Sequence, residues 1–315
     1  MTDMASYVDR LPQAVQMRAA SLGEQGRDWL ASLPSVIETL QADWQVEVGE
    51  VLAGGSESLV ARANNATGEA RILKIGMTGS ADLAMEARVY GLGAGQGYAT
   101  LYEHSETHNA LLLEALGAPL DQRRLPIQAN IRALCELLVI AWQPLAENPG
   151  LMTGAEKAVW LAEFITSRWQ QLDKPCSKAV IDLVLNYTGL RETSFAPEKS
   201  VLVHGDAHEL NALLVPGTVA DYKFVDPDGL FAEPACDLAV PMRGYNEELL
   251  TGATNRRARA RAKLLGELTG VDPESIWQWG FMERISTGLV LLEIGMREEG
   301  EQTLAVAERI CNGES

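Results

Sequence analysis

The sequence predicts an α+β chain with two lobes, a small antiparallel-sheet lobe preceded by helices and a larger, mostly helical lobe. Alternating apolar and polar residues with a Gly-rich turn between Trp44 and Ala63 predict the sheet. Apolar residues at helical spacing predict helices before Leu40 and over most of the chain beyond Pro119. One β-like island, residues 201–231, interrupts the second helical region.

The first lobe begins with two helices between Leu11 and Leu40, broken near residues 23–26. We expect three antiparallel strands next, at residues 44–52, 59–63 and 69–75, and the third carries Lys74. A helix over residues 80–92, capped by Ser80, carries Glu86. Two further strands are predicted at 99–102 and 110–116. The Gly/Pro junction that follows places the domain boundary between residues 1–116 and 117–315.

The second lobe is predicted to contain helices at 130–146, 154–172 and 177–189, followed by about four more. Aromatic residues on these helices, Trp160, Trp169 and Tyr187, are expected in the core rather than as stacking platforms. The chain shows no internal repeat and no low-complexity tract.

Composition excludes several classes of function. The formal net charge of −17 repels nucleic-acid phosphates and anionic lipid. If some of the acidic residues line a cleft, they favour a cationic small-molecule partner. The four cysteines, Cys135, Cys176, Cys236 and Cys311, have no metal-ligand spacing and are expected to be reduced thiols of a cytoplasmic protein. Asp3 and Asp9 stand where a signal peptide would be basic, and no apolar run is long enough to span a membrane.

The island carries the residues with recognisable chemistry. It reads His204-Gly-Asp206-Ala-His208-Glu-Leu-Asn211, and after a second apolar segment Asp226-Pro-Asp228-Gly. In phosphoryl transfer one carboxylate accepts the proton of the attacking hydroxyl, while an amide oxygen and a second carboxylate hold Mg²⁺ on the nucleotide phosphates. Asp206 is therefore the predicted catalytic base, and Asn211 and Asp226 are the predicted magnesium ligands.

The remaining parts of a kinase follow in the required order. Gly54, Gly55 and Ser56 form a Gly-rich hairpin turn whose backbone N–H groups are able to approach phosphate, although an ordinary turn has the same composition. Lys74 is expected to reach the α and β phosphates, with Glu86 as its ion-pair partner and Glu69 or Glu103 as alternatives. The segment from Glu114 to Leu116 is the predicted hinge that contacts adenine through its backbone.

Taken together, these segments make the chain resemble the aminoglycoside phosphotransferases, which are protein-kinase-like enzymes, and in particular the branch of streptomycin 6-phosphotransferases and hydroxyurea kinases. The block from Glu233 to Ala239 supports the branch. The resemblance implies a two-lobed kinase-like fold and transfer of the γ-phosphoryl group of ATP or GTP, with Mg²⁺, to a hydroxyl of a small molecule. It also implies that Asp237 accepts backbone N–H bonds from the catalytic loop.

Other assignments follow less directly from the sequence. A metal site at His204 and His208 is disfavoured because Mg²⁺ needs no imidazole, so both are expected to hold the loop by hydrogen bonds. An acidic acceptor pocket is expected from residues after Asp226, and Arg243 is expected either to position phosphate or to pair with an acid there. The pocket candidates are Asp228, Glu233, Glu247 and Glu248.

Two alternatives to an antibiotic phosphotransferase stay open at this point. One is a metabolic kinase for a sugar, an amino alcohol or a hydroxyurea-like acceptor. The other is a catalytically silent kinase-like binding protein, which the joint presence of Lys74, Asp206, Asn211 and Asp226 disfavours. The sequence leaves monomer and homodimer equally open.

Overall fold

The computed structural model describes residues 6–313, so Asp3 lies outside the described residues. The chain forms two compact units. The first ends at Gly117 and includes Val215–Gly217, whereas the second contains Ala118–Leu214 and resumes at Thr218. Among residues 6–313, no helix has both the length and the apolar character needed to cross a membrane.

The first unit is built on a five-stranded antiparallel sheet in the order β1-β2-β3-β5-β4. Its strands are β1 (Val46–Val51), β2 (Ser58–Asn65), β3 (Ala70–Gly76), β4 (Leu101–Ser105) and β5 (Ala110–Glu114). Lys74 lies on the central strand β3, where it pairs with Val60 of β2 and Leu111 of β5. Neighbouring strands on both sides fix the backbone of this lysine.

Helices precede the sheet and share a core with it. They are α1 (Ser6–Asp9), α2 (Gln13–Ser21) and α3 (Glu24–Trp44), so the predicted break near Gly23 is present. Apolar residues of these helices and of the first three strands form one buried cluster. Two buried hydrogen bonds join the layers: the Tyr7 hydroxyl donates to Val48 O, and the Trp29 indole donates to Gly76 O.

Helix α4 (Leu83–Gly93) follows β3 and carries Glu86. The predicted cap was wrong, because the side chain of Asp82, not that of Ser80, accepts the backbone N–H of Ala84. Ser80 instead contacts Arg18 and Glu57 through its hydroxyl group. Both residues are good caps by type, and the helix begins after the second of them.

The second unit is mostly helical. Its helices are α5 (Ile127–Ala141), α6 (Gly154–Gln171), α7 (Lys178–Thr193), α8 (Ala235–Arg243), α9 (Asn246–Leu250), α10 (Thr254–Thr269), α11 (Pro273–Glu293) and α12 (Arg297–Cys311). Helix α11 is central, since it packs against α6, α7, α8, α10 and α12. Asp272 caps its first turn, and Pro273 occupies a first-turn position that needs no N–H donor.

The β-like island becomes short strands. Strands β6 (Met152–Thr153), β10 (Leu230–Ala232) and β7 (Val201–Val203) form a sheet in that order, and β8 (Ala212–Leu214) pairs with β9 (Tyr222–Phe224). The aromatic prediction held for buried Tyr187 but was wrong for Trp160, whose side chain is 43% exposed on α6. The buried residues of α6, among them Ala158, Leu161 and Ile165, repeat at helical spacing and Trp160 lies off that face, so the prediction failed because it followed residue type.

Candidate active site

The Asp206 loop connects β7 to β8 and is held in a conformation that requires glycine. Gly205 has φ +92°, in the left-handed region. A Cβ atom at this position would lie 2.7 Å from the Cβ atom of Asp228. Glycine therefore lets the loop pass against the segment that carries Asp228.

The carboxylate of Asp206 is bound by two nitrogen groups. Its Oδ1 atom accepts a 2.9 Å hydrogen bond from Nη2 of Arg243, and its Oδ2 atom lies 3.2 Å from Nε2 of His208. Burial alone would raise the pKa of Asp206, but the His208 hydrogen bond and the Arg243 charge outweigh it and hold the pKa well below its usual range. Asp206 is therefore ionised at neutral pH.

His204 is fully buried beneath the loop and belongs to its framework. Its Nδ1 atom accepts the backbone N–H of Asp206, and its Nε2 atom lies 2.9 Å from Val225 O. The proton therefore sits on Nε2. Burial lowers the pKa of His204 to about 4, although the bond to Val225 opposes the shift. The imidazole is neutral at pH 7 and ties the two apolar segments of the island together.

Asp237, at the start of α8, accepts three N–H donors. They are the backbone N–H groups of His204 and Gly205 and the indole of Trp142, at 2.8–2.9 Å. Burial raises the pKa of Asp237 to about 6, while these donors act in the opposite direction. The structure contains the backbone contact that the sequence resemblance implied.

Asn211 and Asp226 lie at the same end of the β8–β9 hairpin. Asn211 precedes β8 and Asp226 follows β9, and the adjoining residues Ala212 and Phe224 are paired. The amide nitrogen of Asn211 donates to Asp206 O, which orients its Oδ1 atom away from that bond. Asp226 is exposed and has φ +54°, a strained value for a residue other than glycine.

This donor set fits Mg²⁺. One carboxylate and one amide oxygen are hard ligands, and Mg²⁺ usually completes its shell with water and substrate phosphates. Within residues 6–313, no group of three or more His, Cys, Asp and Glu side chains is arranged to hold a metal ion. The imidazoles of His204 and His208 hydrogen-bond through both ring nitrogens, which agrees with the loop-holding role expected for them.

Arg243 has a different partner set from the one expected. Besides Asp206, it binds Glu283 of α11, with Nη1 3.0 Å from Oε2. Glu283 in turn lies 3.6 Å from the ammonium group of Lys157 on α6. Sequence reasoning missed Glu283 and Lys157, which carry no local motif and come from helices far along the chain.

Of the predicted acceptor contacts, some carboxylates are paired with other side chains and others are exposed to solvent. Glu233 binds Arg191 and the Trp279 indole, which supports a structural role rather than an acceptor contact. Glu248 is paired with buried Arg261. Asp228 and Glu247 are exposed. Asp228 is solvent-accessible, but the protein packed around it partly desolvates its carboxylate, and together with the nearby charge of Asp206 this raises its pKa. An added positive charge beside it would therefore be favourable.

In the first unit, Lys74 and Glu86 form the expected ion pair. The Nζ atom of Lys74 lies 2.6 Å from Oε2 of Glu86, and both side chains are largely buried. The alternative partner Glu69 instead binds Arg71. Sequence proximity left that choice open, and the packing of α4 decides it.

The remaining nucleotide candidates lie on loops or strand ends of the first unit. Gly54 and Gly55 have φ +141° and +70°, so the turn after β1 needs glycine at both positions. Ser56 follows them in the same exposed turn. Glu114 ends β5, with its carboxylate bound by Thr100, and Leu116 follows two residues later in a half-buried position.

The chain is similar to known proteins over most of its length. The model of a family described as aminoglycoside/hydroxyurea antibiotic resistance kinase matches residues 43–295. The streptomycin 6-kinase of Streptomyces griseus is 25% identical over 292 residues, which cover 92% of each chain. The streptomycin 6-kinase of Streptomyces glaucescens is 23% identical over 283 residues, covering 88% of this chain and 89% of that one.

Solved structures show the fold. The macrolide 2'-phosphotransferase of Brachybacterium faecium matches with a TM-score of 0.57 at 14% identity, over 88% of this chain and 98% of that chain. The choline kinase of Streptococcus pneumoniae matches with a TM-score of 0.56 at 15% identity, over 89% and 97%. These similarities confirm the predicted α+β, protein-kinase-like fold class.

Proposed function

Because this chain belongs to the aminoglycoside/hydroxyurea antibiotic resistance kinase family, we propose that it transfers the γ-phosphoryl group of ATP to a hydroxyl of streptomycin or a related cationic aminoglycoside. The family and its relatives identify the chain as a phosphotransferase that acts on hydroxyl groups. The observation that carries the acceptor chemistry is the Asp206 carboxylate, which is ionised, half-exposed and fixed by Arg243 and His208.

Asp206 is the proposed base. The acceptor hydroxyl donates a hydrogen bond to it, and the hydroxyl oxygen forms the new bond to the γ-phosphorus as the bond to the β-γ bridging oxygen breaks. ADP leaves, and the hydroxyl proton passes through Asp206 to solvent. Because the low pKa of Asp206 makes it a weak base, its main contribution is to orient the hydroxyl until transfer is well advanced.

Lys74 is proposed to bind the α and β phosphates, with Glu86 limiting the positions of its ammonium group. The turn at Gly54, Gly55 and Ser56 is proposed to contribute backbone N–H groups. Asn211 and Asp226 would hold Mg²⁺, which when bound supplies positive charge to the phosphate oxygens. The donor orientation of Asn211 supports this, because its amide nitrogen is already used by Asp206 O.

Asp228 is the proposed contact for a cationic group of the acceptor. It is exposed, it follows Asp226 by two residues, and its Cβ atom packs against Gly205 of the Asp206 loop. Glu247 is a second open carboxylate in this unit. The net charge of −17 favours cationic over anionic acceptors.

Mass spectrometry of the purified protein tests the proposal. The protein is incubated with Mg²⁺, either ATP or GTP, and one acceptor from a panel of aminoglycosides, hydroxyurea, simple sugars and amino alcohols. We expect streptomycin or a related aminoglycoside to gain one phosphoryl group with ATP. Phosphorylation of a sugar or an amino alcohol alone would make the protein a metabolic kinase, and nucleotide binding without transfer to any acceptor would indicate a silent kinase-like protein.

A further inference from the structure

Helix α8 contacts the Asp206 loop at two places. At its beginning, Asp237 accepts the backbone N–H groups of His204 and Gly205. At its end, the guanidinium of Arg243 binds the carboxylate of Asp206. One short helix therefore fixes both the backbone that carries Asp206 and the direction of its side chain.

The guanidinium of Arg243 is itself held in place. Its two terminal nitrogens bind different carboxylates, Nη2 to Asp206 at 2.9 Å and Nη1 to Glu283 at 3.0 Å. The side chain of Glu283 is only 9% exposed and also faces Lys157. Because the guanidinium is planar, two bonds at separate nitrogens define its orientation as well as its position.

The backbone at the end of α8 is fixed by two buried arginines. Arg284 donates to Met242 O, and Arg261 donates to Gly244 O. These contacts satisfy carbonyl groups that the helix end leaves without intrahelical partners. Tyr245, next in the chain, has φ +56°, which turns the chain sharply after Arg243. Arg243 therefore projects from a backbone with little freedom to move.

We propose that Arg243 is a positioning residue for the phosphoryl transfer, one that holds the Asp206 carboxylate in the orientation that meets the acceptor hydroxyl, with Glu283 as its anchor. The inference rests on the proposed function, since it assumes that Asp206 meets the acceptor. It differs from the sequence-based expectation that Arg243 positions phosphate or pairs with an acid of the acceptor pocket, because the partners seen are Asp206 and Glu283. A lysine in its place is able to bind only one of the two carboxylates well, because its charge lies at a single nitrogen.

Steady-state kinetics with Arg243→Ala, Arg243→Lys and wild type test the role. In Arg243→Ala we expect kcat to fall by about 100-fold, because misplacing a catalytic group costs about this much. The KM for ATP and the KM for the acceptor should both stay unchanged, because substrate binding is not weakened. Millimolar guanidinium should restore part of the lost kcat, whereas urea, which is planar but uncharged, should not. The kcat of Arg243→Lys should lie between the kcat of wild type and that of Arg243→Ala.

A matched control separates this role from general stabilisation. Arg297 is an exposed arginine paired with Glu301 on α12, so Arg297→Ala should keep wild-type kcat and show no response to guanidinium. Wild-type kcat in Arg243→Ala would overturn the proposal. A loss of kcat that guanidinium does not restore would also overturn it and indicate a structural role.

Crystal structures separate this inference from the proposed function. In Arg243→Ala we expect the Asp206 side chain to leave its wild-type rotamer, while the backbone bonds to Asp237 persist. An unchanged Asp206 side chain would overturn the positioning role, whether or not the protein is active. If wild type phosphorylates no acceptor but Asp206 moves in the variant, the proposed function fails and the structural role of Arg243 stands.

Discussion

Lys74 and Asp206 carry opposite charges in the proposed phosphoryl transfer, and the molecule holds them in different ways. The flexible side chain of Lys74 is paired with a buried carboxylate from the next helix, Glu86. Asp206 is bound on both oxygens, by Arg243 and His208, and Arg243 is anchored by Glu283. An ion pair between flexible side chains suits a cation that must shift to phosphate. A network of fixed groups suits a base that must keep one direction.

A large effect on folding is expected at the Lys74–Glu86 pair. Replacing Lys74 with methionine leaves the charge of Glu86 buried, so the free energy of unfolding should fall by about 3 kcal/mol. Adding Glu86→Leu should restore most of this stability by forming an apolar contact, without restoring phosphoryl transfer. Urea denaturation and activity assays of the single and double variants measure both effects. Equal stability of Lys74→Met and wild type would show that the pair is not desolvated in solution.

The contribution of His204, beneath the Asp206 loop, to the free energy of unfolding should depend on pH. The ring titrates near 6.5 in the unfolded chain but at about 4 in the folded one, so between these values the unfolded chain binds the proton more readily. The stabilisation is fully present above pH 6.5 and is lost as the pH falls toward 4. It amounts to about 3 kcal/mol, at 1.36 kcal/mol for each pKa unit.

The measurement is the difference in unfolding free energy between wild type and His204→Gln from pH 7.5 to 4. This comparison is needed because Asp237 titrates at about 6 and acts in the opposite direction: its raised pKa favours the folded state as the pH falls. Asp237 is present in both proteins, so its contribution largely cancels. A difference that is constant with pH would contradict the buried, neutral state of His204.

In these two regions the sequence predicted contacts between residues that lie close along the chain better than contacts between residues far apart along it. The Asp206–Asn211 spacing and the Lys74–Glu86 pair were accessible because each set lies within one or two neighbouring elements. The contact between Arg243 and Glu283 joins residues 40 positions apart on two packed helices, and no periodicity encodes it. Ser80 and Asp82 are both competent caps, so side-chain type did not fix the start of α4. Trp160 lies off the buried face of α6 that Ala158, Leu161 and Ile165 define, so its exposure follows the helical period, whereas the prediction followed its residue type.

A smaller effect is expected at Asp228, the proposed contact for a cationic group of the acceptor. Asp228→Asn removes the exposed charge without changing its size, so KM for a cationic aminoglycoside should rise about tenfold, equivalent to about 1.4 kcal/mol. KM for ATP should stay unchanged. The same KM measurements on Glu247→Gln, which removes the charge of another exposed carboxylate, show whether the effect is specific to Asp228. An equal increase in KM for ATP would place Asp228 among the nucleotide contacts instead.

The smallest expected effect concerns the helix that carries Glu86. Asp82→Ala removes the side-chain cap of α4 and should lower the free energy of unfolding by about 1 kcal/mol. Asp82→Ser retains a capping oxygen and should recover most of the loss. Thermal denaturation of the three proteins measures this. Identical melting temperatures for the alanine variant and wild type would mean that the packing of α4 alone holds Glu86 in place.

The most direct test of the proposed chemistry is single-turnover transfer from ATP to streptomycin by wild type and by Asp206→Asn, with nucleotide affinity measured on the same samples. We expect wild type to form phosphostreptomycin. The variant should bind ATP with unchanged affinity and transfer at a rate lower by about 10³-fold, within the range for loss of a general base. Transfer by Asp206→Asn at the wild-type rate would contradict the assignment of Asp206 as the residue that meets the acceptor hydroxyl.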